Sequence, residues 1–277
     1  MSAHMNRLGI EALSALGLGP VDYVNLAADL GCAHVSIALT QCPINPWNLP
    51  PFDLAADKPL RREMAAAMRD RGVSGSLGEG MVLAPGRDLA SMAEASFEAM
   101  LELGISRLNM VSMDPDLART HDQFAMLAER ATAAGFADLV CEFAPVLTIR
   151  NLAMALDVVA HIGRPNVRIL LDTMHFGRSG GTAADLAAID PDLIGYVQLA
   201  DAPLQSDMDY MQEAMIERKA PGEGAYPLAD FLARVPRDRV VSLEIPQLGK
   251  AMAGQSALEI LQPAVAAARA LLEGLPD

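Results

Sequence analysis

The sequence predicts an α/β protein, a (β/α)8 barrel forming one domain across residues 1–277. Three observations lead there. Short aliphatic stretches alternate with helical ones in strict order, with connections suited to parallel pairing. The length of 277 residues fits the roughly 250 that such a barrel needs. No G-x-G-x-x-G follows the first strand, which argues against the alternative, an open doubly wound sheet. No linker or shift in composition divides the chain.

Taken in order, residues 8–13 read as a weak first strand and 20–30 as the first helix. Residues 35–39 form the second strand, leading into a proline-rich loop, 42–51, that holds the single tryptophan, Trp47. The next helix, 59–71, carries proline early, where a missing N–H does no harm. The third strand spans 73–77 and ends near Glu79; helix 88–103 and strand 107–112 follow. A long helix, 116–134, is closed by Gly135, and strand 138–143 precedes helix 148–162. Strand 167–172 ends at Asp172 and enters a glycine-rich turn; a short helix, 183–188, precedes strand 194–199. After a long loop come helix 227–235 and strand 240–245. Ser256 and Glu259 form a capping box for the last helix, which carries Pro263 inside it.

Composition narrows the partners. Apolar residues make up 52% of the chain, enough for a sizeable core, and the scarcity of aromatics (4%) favours helices packed on short aliphatic strands. A formal charge of −14 without a segregated basic patch repels nucleic acid and anionic membranes, leaving a small polar molecule as the expected partner. Homo-oligomerisation is compatible with the sequence. No apolar run has the length of a membrane span, and the start does not read as a signal peptide. The His4-Met5 step has the look of a cloning remnant. Three widely spaced cysteines, Cys32, Cys42 and Cys141, suit a disulfide-free, cytoplasmic protein.

Chemistry is expected where barrel strands end. Four successive strands carry a polar residue between apolar neighbours: Glu142 between Cys141 and Phe143, Asp172 between Leu171 and Thr173, Gln198 between Val197 and Leu199, and Glu244 between Leu243 and Ile245. Period-two alternation points all four into the barrel mouth. Three converging carboxylates repel unless a cation neutralises them, so the pattern predicts one bound divalent metal. An all-oxygen set suits Mn²⁺ or Mg²⁺, with Co²⁺ and Zn²⁺ as further candidates. His175, three residues beyond Asp172, either assists proton transfer or fixes the Asp172 loop. Arg178 and Arg218 are candidate substrate grips, against the plainer reading of solvated loop arginines. Glu79 stands on the same face as a substrate contact or a turn residue, and Trp47 either caps the pocket or packs on the rim. Gly222-Glu223-Gly224 shapes the return from the long loop, and His34, His121 and His161 read as structural or exposed.

The order Glu142, Asp172-x-x-His175, Gln198 within Val197-Gln198-Leu199-Ala200-Asp201, Gly222-Glu223-Gly224 and Glu244 resembles the xylose isomerase-like TIM barrel superfamily. More narrowly, it resembles its sugar phosphate isomerase/epimerase family. The resemblance runs along nearly the whole chain and is densest between Cys141 and Pro246. It implies a metal held at the positions of Glu142, Asp172, Gln198 and Glu244, with the two glutamates as acid and base about an enolisable carbon. The implied function is isomerisation or epimerisation of a sugar-like or cyclitol-like hydroxyketone through an enediolate, a place in carbohydrate metabolism. Many epimerases have histidine where this chain has Gln198. Glutamine occurs there in inosose and 3-dehydroshikimate dehydratases, so the departure tilts the expectation towards a lyase. Two other classes compare poorly. A DNA-repair endonuclease of the same superfamily needs more than the five histidines present and a charge of the other sign. A ligand-binding barrel without turnover has no use for the full oxygen set.

Overall fold

The computed structural model describes residues 6–276; the His4-Met5 step lies outside them. Eight parallel strands form a closed barrel in chain order: β1 (Leu8–Ile10), β2 (His34–Ile37), β3 (Ser74–Leu83), β4 (Arg107–Ser112), β5 (Asp138–Glu142), β6 (Val167–Asp172), β7 (Ile194–Leu199) and β8 (Val241–Leu243). Closure is made by β8 against β1, in the register Leu8↔Val241, Gly9↔Ser242 and Ile10↔Leu243. The outer layer holds the long helices α1 (Pro20–Asp29), α2 (Lys58–Arg71), α3 (Leu89–Glu102), α4 (Leu117–Ala134) and α5 (Leu152–Ile162). Between β6 and the C-terminus come α6 (Thr173–Arg178), α7 (Ala183–Ala187), α8 (Tyr210–Ile216), α9 (Leu228–Leu232), α10 (Leu248–Met252) and α11 (Ala257–Glu273). Among the described residues, no helix is long and apolar enough to cross a membrane.

Local chemistry explains the helix starts. Side chains of Asp57, Asp88, Asp116, Asn151 and Ser256 each accept a backbone N–H of the first turn, and Glu259 completes the expected capping box. Gly135 ends α4 at φ 110°, a left-handed conformation that a side chain resists. α11 runs on through Pro263.

Several boundaries differ from those expected. β1 stops at Ile10, where the chain turns into a 3-10 segment, Ala12–Ala15, instead of running to residue 13. β3 extends to Leu83, well past Glu79, because a register shift between Gly78 and Met81 lets the strand keep pairing with β4. α5 starts at Leu152 because Asn151 is its cap; residues 144–151 are a turn closed by Ala144 N–H to Ile149 O at 3.0 Å. The glycine-rich segment after Asp172 contains α6, and the long loop after β7 contains α8. The helix expected over 227–235 contracts to α9.

Inside the barrel, Leu77, Val140, Leu170 and Tyr196 form a separate, fully buried cluster, distinct from the larger core between strands and helices. Period two then brings the side chains two residues further along, at Glu79, Glu142, Asp172 and Gln198, to the same interior one layer higher.

Candidate active site

The layer above that apolar plug is polar on every strand. Glu11 follows β1, Ser36 lies on β2, Glu79 on β3, Asn109 on β4, Glu142 on β5, Asp172 on β6, Gln198 on β7, and Glu244 follows β8. Hydrogen bonds join these groups across the barrel. Asn109 Nδ2 donates to Glu142 Oε2 (2.5 Å) and Glu79 Oε2 (3.0 Å). Gln198 Nε2 faces three carboxylates at longer range, Glu244 Oε1 at 3.3 Å, Glu11 Oε2 at 3.4 Å and Glu79 Oε1 at 3.5 Å. Beneath them the Tyr196 hydroxyl donates to Glu11 Oε1 at 2.8 Å.

Asp172 has two structural tasks. As the last residue of β6 it reaches the mouth, and as the N-cap of α6 its Oδ1 accepts the His175 N–H at 2.7 Å. That cap is the physical content of the Asp-x-x-His spacing: the third residue of the new helix turns its imidazole back over the site. His175 Nε2 lies 3.5 Å from Glu142 Oε1 and 3.3 Å from Arg218 Nη2, and its Nδ1 meets the Tyr210 hydroxyl at 2.7 Å. Thr173 locks the neighbouring strand end, donating to Ala200 O (2.6 Å) and accepting from Ala200 N (2.9 Å).

Arg218 supplies the positive charge. Its Nη1 stands 2.5 Å from Asp172 Oδ2 and 2.9 Å from Glu244 Oε2, and its Nε donates to Ala214 O at 2.6 Å. The plainer reading of a solvated loop arginine is corrected: Arg218 is only 3% exposed and is paired with Asp172 and Glu244. It reaches the site because Asp201 organises the excursion after β7, accepting backbone N–H groups from Ala202, Gly222 and Tyr226. A Cβ at Gly224 would collide with the Asp201 carboxylate and the Ala202 backbone, which accounts for glycine in the Gly-Glu-Gly turn.

Burial and charge divide the carboxylates. Burial pushes Glu142 up to about 7, against the Asn109 hydrogen bond and the Arg218 charge, while Asp172 nearby reinforces the rise. Burial likewise holds Glu79 and Glu244 well above the usual carboxylate range and raises Glu11. Asp172 goes the other way: burial would raise it, but Arg218 and then His175 outweigh that and hold it at about 2. His175 is lowered to about 4 by burial, so its neutral form prevails at neutral pH. Arg218 stays charged, because Asp172 and Glu244 more than offset its burial.

The structure therefore brings together Glu142, Asp172, His175, Gln198, Arg218, Glu244 and Glu79, and leaves two of the expected residues elsewhere. Arg178 is engaged by Glu213 through Nε (3.0 Å) and Nη2 (2.6 Å), lies over the Tyr226 ring and fastens α6 to α8. Trp47 packs with Ile44 against Leu16, Ala251 and Ile260, on the barrel rim. Glu11, Asn109 and Tyr210 escaped the sequence reading. Asn109 carries the same apolar–polar–apolar signature, between Leu108 and Met110, whereas Glu79 sits between glycines and Glu11 lies one residue beyond its strand.

The donor set fits a divalent cation in type. Of the polar groups at the mouth, Glu142, Asp172 and Glu244 offer carboxylates and Gln198 an amide, whose Oε1 is buried without a hydrogen-bond partner among the described residues, a hard oxygen left available. As the side chains stand, Arg218 bridges Asp172 and Glu244. Among the described residues, no three His, Cys, Asp or Glu side chains already converge as a ligand set.

A family model described as xylose isomerase-like TIM barrel matches residues 24–270. A 3-dehydroshikimate dehydratase of Pseudomonas aeruginosa is 32% identical over 155 residues, covering 54% of this chain and 24% of that protein. Among solved structures, a xylose isomerase-like TIM barrel/4-hydroxyphenylpyruvate dioxygenase fusion protein superposes with a TM-score of 0.72 at 22% identity, over 87% of this chain and 39% of the other. The IOLI protein, solved with a bound zinc atom, superposes with a TM-score of 0.76 at 18% identity, over 96% of each chain. The chain thus matches about a quarter of the curated relative and about two fifths of the fusion protein.

Proposed function

Because the chain belongs to the xylose isomerase-like TIM barrel family, we propose that it is a metal-dependent enzyme that enolises a small polyhydroxylated ketone and then eliminates water from it. The observation that carries this reading is the meeting of Glu142, Asp172, Gln198 and Glu244 with Arg218 and His175 at one end of the barrel. Glu142, Asp172, Gln198 and Glu244 would hold the cation, with Mn²⁺ or Mg²⁺ suited to the oxygen set. Such a cation would polarise the ketone and stabilise the enediolate. Glu244 or Glu142, kept ionised by the cation it would help to hold, would take the proton from the α-carbon. The electron pair of that C–H bond forms the new C=C bond as the β C–O bond breaks. The departing hydroxide takes a proton from His175 and leaves as water; His175 is reprotonated from solvent through the hydrogen-bonded Tyr210 hydroxyl, and the α-proton passes from the carboxylate to solvent. Arg218 offers a fixed positive charge to developing negative charge on substrate oxygen.

Elimination is preferred to epimerisation on two grounds: glutamine at position 198, and the 32% identity with a 3-dehydroshikimate dehydratase. Epimerisation remains the second reading. What favours it is the placing of two carboxylates, Glu142 and Glu244, on different sides of Asp172 and His175, so that one could return the proton the other removed.

The test is proton exchange in D₂O with added Mn²⁺, followed by NMR on keto-sugars, inososes and 3-dehydroshikimate. The wild type is expected to wash deuterium into the α position of a substrate and release a dehydrated product. Glu244→Gln should keep measurable Mn²⁺ binding and lose the exchange. Undiminished exchange in that variant would remove Glu244 as the base, and an inverted, hydrated product would select epimerisation.

A further inference from the structure

A cavity of about 310 Å³ opens beside the carboxylates, on the side of β1 to β3. Its wall is mostly hydrocarbon, with Leu13, Leu18, Ile37, Phe52, Leu54 and Met64 as the large contributors; Ser36, Thr40 and Tyr23 add hydroxyls, that of Tyr23 already donating to Ile10 O. It is also lined by Glu79 and Glu244, two members of the polar layer, and by Gln41 and Cys42 at the start of the proline-rich loop. No lysine, arginine or histidine lines it among the described residues.

That lining is a statement about what can enter. A phosphate seated against this wall, on the far side from the cation that Glu244 would help to hold, would lose its water and meet no cationic side chain, only scattered hydroxyls and the Gln41 amide; burying such a charge unpaired is costly. A ring methylene, a deoxy carbon or a methyl group would lose nothing and gain apolar contact. We propose that this cavity is the specificity chamber of the site, and that it receives the uncharged, carbon-rich side of an unphosphorylated hydroxyketone. The proposal rests on the enolising reading for what happens to the ligand, but not for where the ligand sits.

Cys42 makes the chamber observable without turnover. It lines the cavity and is half-buried, whereas Cys32 and Cys141 are buried elsewhere in the core. Iodoacetamide modification of Cys42, read by mass spectrometry with Cys42→Ser as the control, reports occupancy. Neutral hydroxyketones, with 2-hydroxycyclohexanone as the first probe, should slow the modification, and fructose 6-phosphate should not. Ala38, a half-buried residue of the wall, is a site to fill the space without touching the polar layer. Ala38→Leu, checked for folding by its thermal melt, should weaken protection by the neutral probe about tenfold. Protection by fructose 6-phosphate as strong as by the neutral ketones, no protection by any of the neutral series, or an Ala38→Leu variant that binds unchanged would each overturn the chamber. The same samples in D₂O separate the two ideas. Protection without α-proton exchange keeps the chamber and removes the enolising reading. Exchange of a phosphorylated ketone, with no preference for neutral ones, does the reverse.

Discussion

Arg218 and Asp172 form the central charge pair of the site, Nη1 to Oδ2 at 2.5 Å, both almost fully buried. The same nitrogen reaches Glu244, so one guanidinium balances two carboxylates that stand on neighbouring parts of the mouth. Removing one partner of a buried pair costs more than the pair contributes, because the other is left uncompensated.

Arg218→Met should therefore destabilise the metal-free protein by about 3–5 kcal/mol. A divalent cation should recover more stability in this variant than in the wild type, since it can take over the neutralising role. Melts in EDTA and in excess Mn²⁺ measure both. A variant that melts like the wild type in EDTA would mean that the carboxylates are balanced by protons instead.

Gln198→Leu keeps the bulk of the side chain and deletes the partnerless Oε1 along with the amide donor. Calorimetric titration with Mn²⁺ should show affinity reduced by at least about tenfold. Gln198→His should retain binding, as an imidazole is also a metal ligand. Equal affinity in the leucine variant would place the cation away from β7.

Arg178→Ala should destabilise the segment that carries α8, through loss of the two hydrogen bonds to Glu213. With both side chains largely buried, the cost is on the order of 3 kcal/mol. In a double-mutant cycle with Glu213→Ala the two losses should be strongly non-additive. Additive losses would show that Arg178 acts through Tyr226 and not through Glu213.

His34, at the start of β2, is hydrogen-bonded at both ring nitrogens: Nε2 donates to Asn6 O (3.1 Å), and Nδ1 meets Ser74 Oγ (2.8 Å). Burial lowers its pKa, with Arg107 adding to the effect and the Asn6 carbonyl opposing it. A folded pKa below the unfolded value of 6.5 means that the neutral form stabilises the fold above that pH, and that this is lost as pH falls through the folded value. Urea midpoints should thus decline from pH 7 to pH 5, and His34→Gln should flatten part of the decline. An identical slope in the variant would assign the pH dependence to other groups.

Much of this protein was legible from chain neighbours alone. The bounds expected for β4, β6 and β7 coincide with those observed, as do the helix caps expected at Ser256 and at Gly135. These features are local: alternation along a strand and a side chain capping its own helix require nothing from distant residues. For the same reason Glu142, Asp172, Gln198 and Glu244 could be picked out by parity.

What only the tertiary structure decided is which charges meet. Arg218 and Asp172 are separated by 46 residues, and Tyr196 and Glu11 by 185, so no spacing rule connects them. Barrel closure sets Glu11 against Gln198 and Tyr196 by joining the first strand to the last. Arg178 and Arg218 look alike in sequence; one became a tether for α8 and the other the counter-charge of the site, because a buried guanidinium goes to whichever carboxylates the fold places around it.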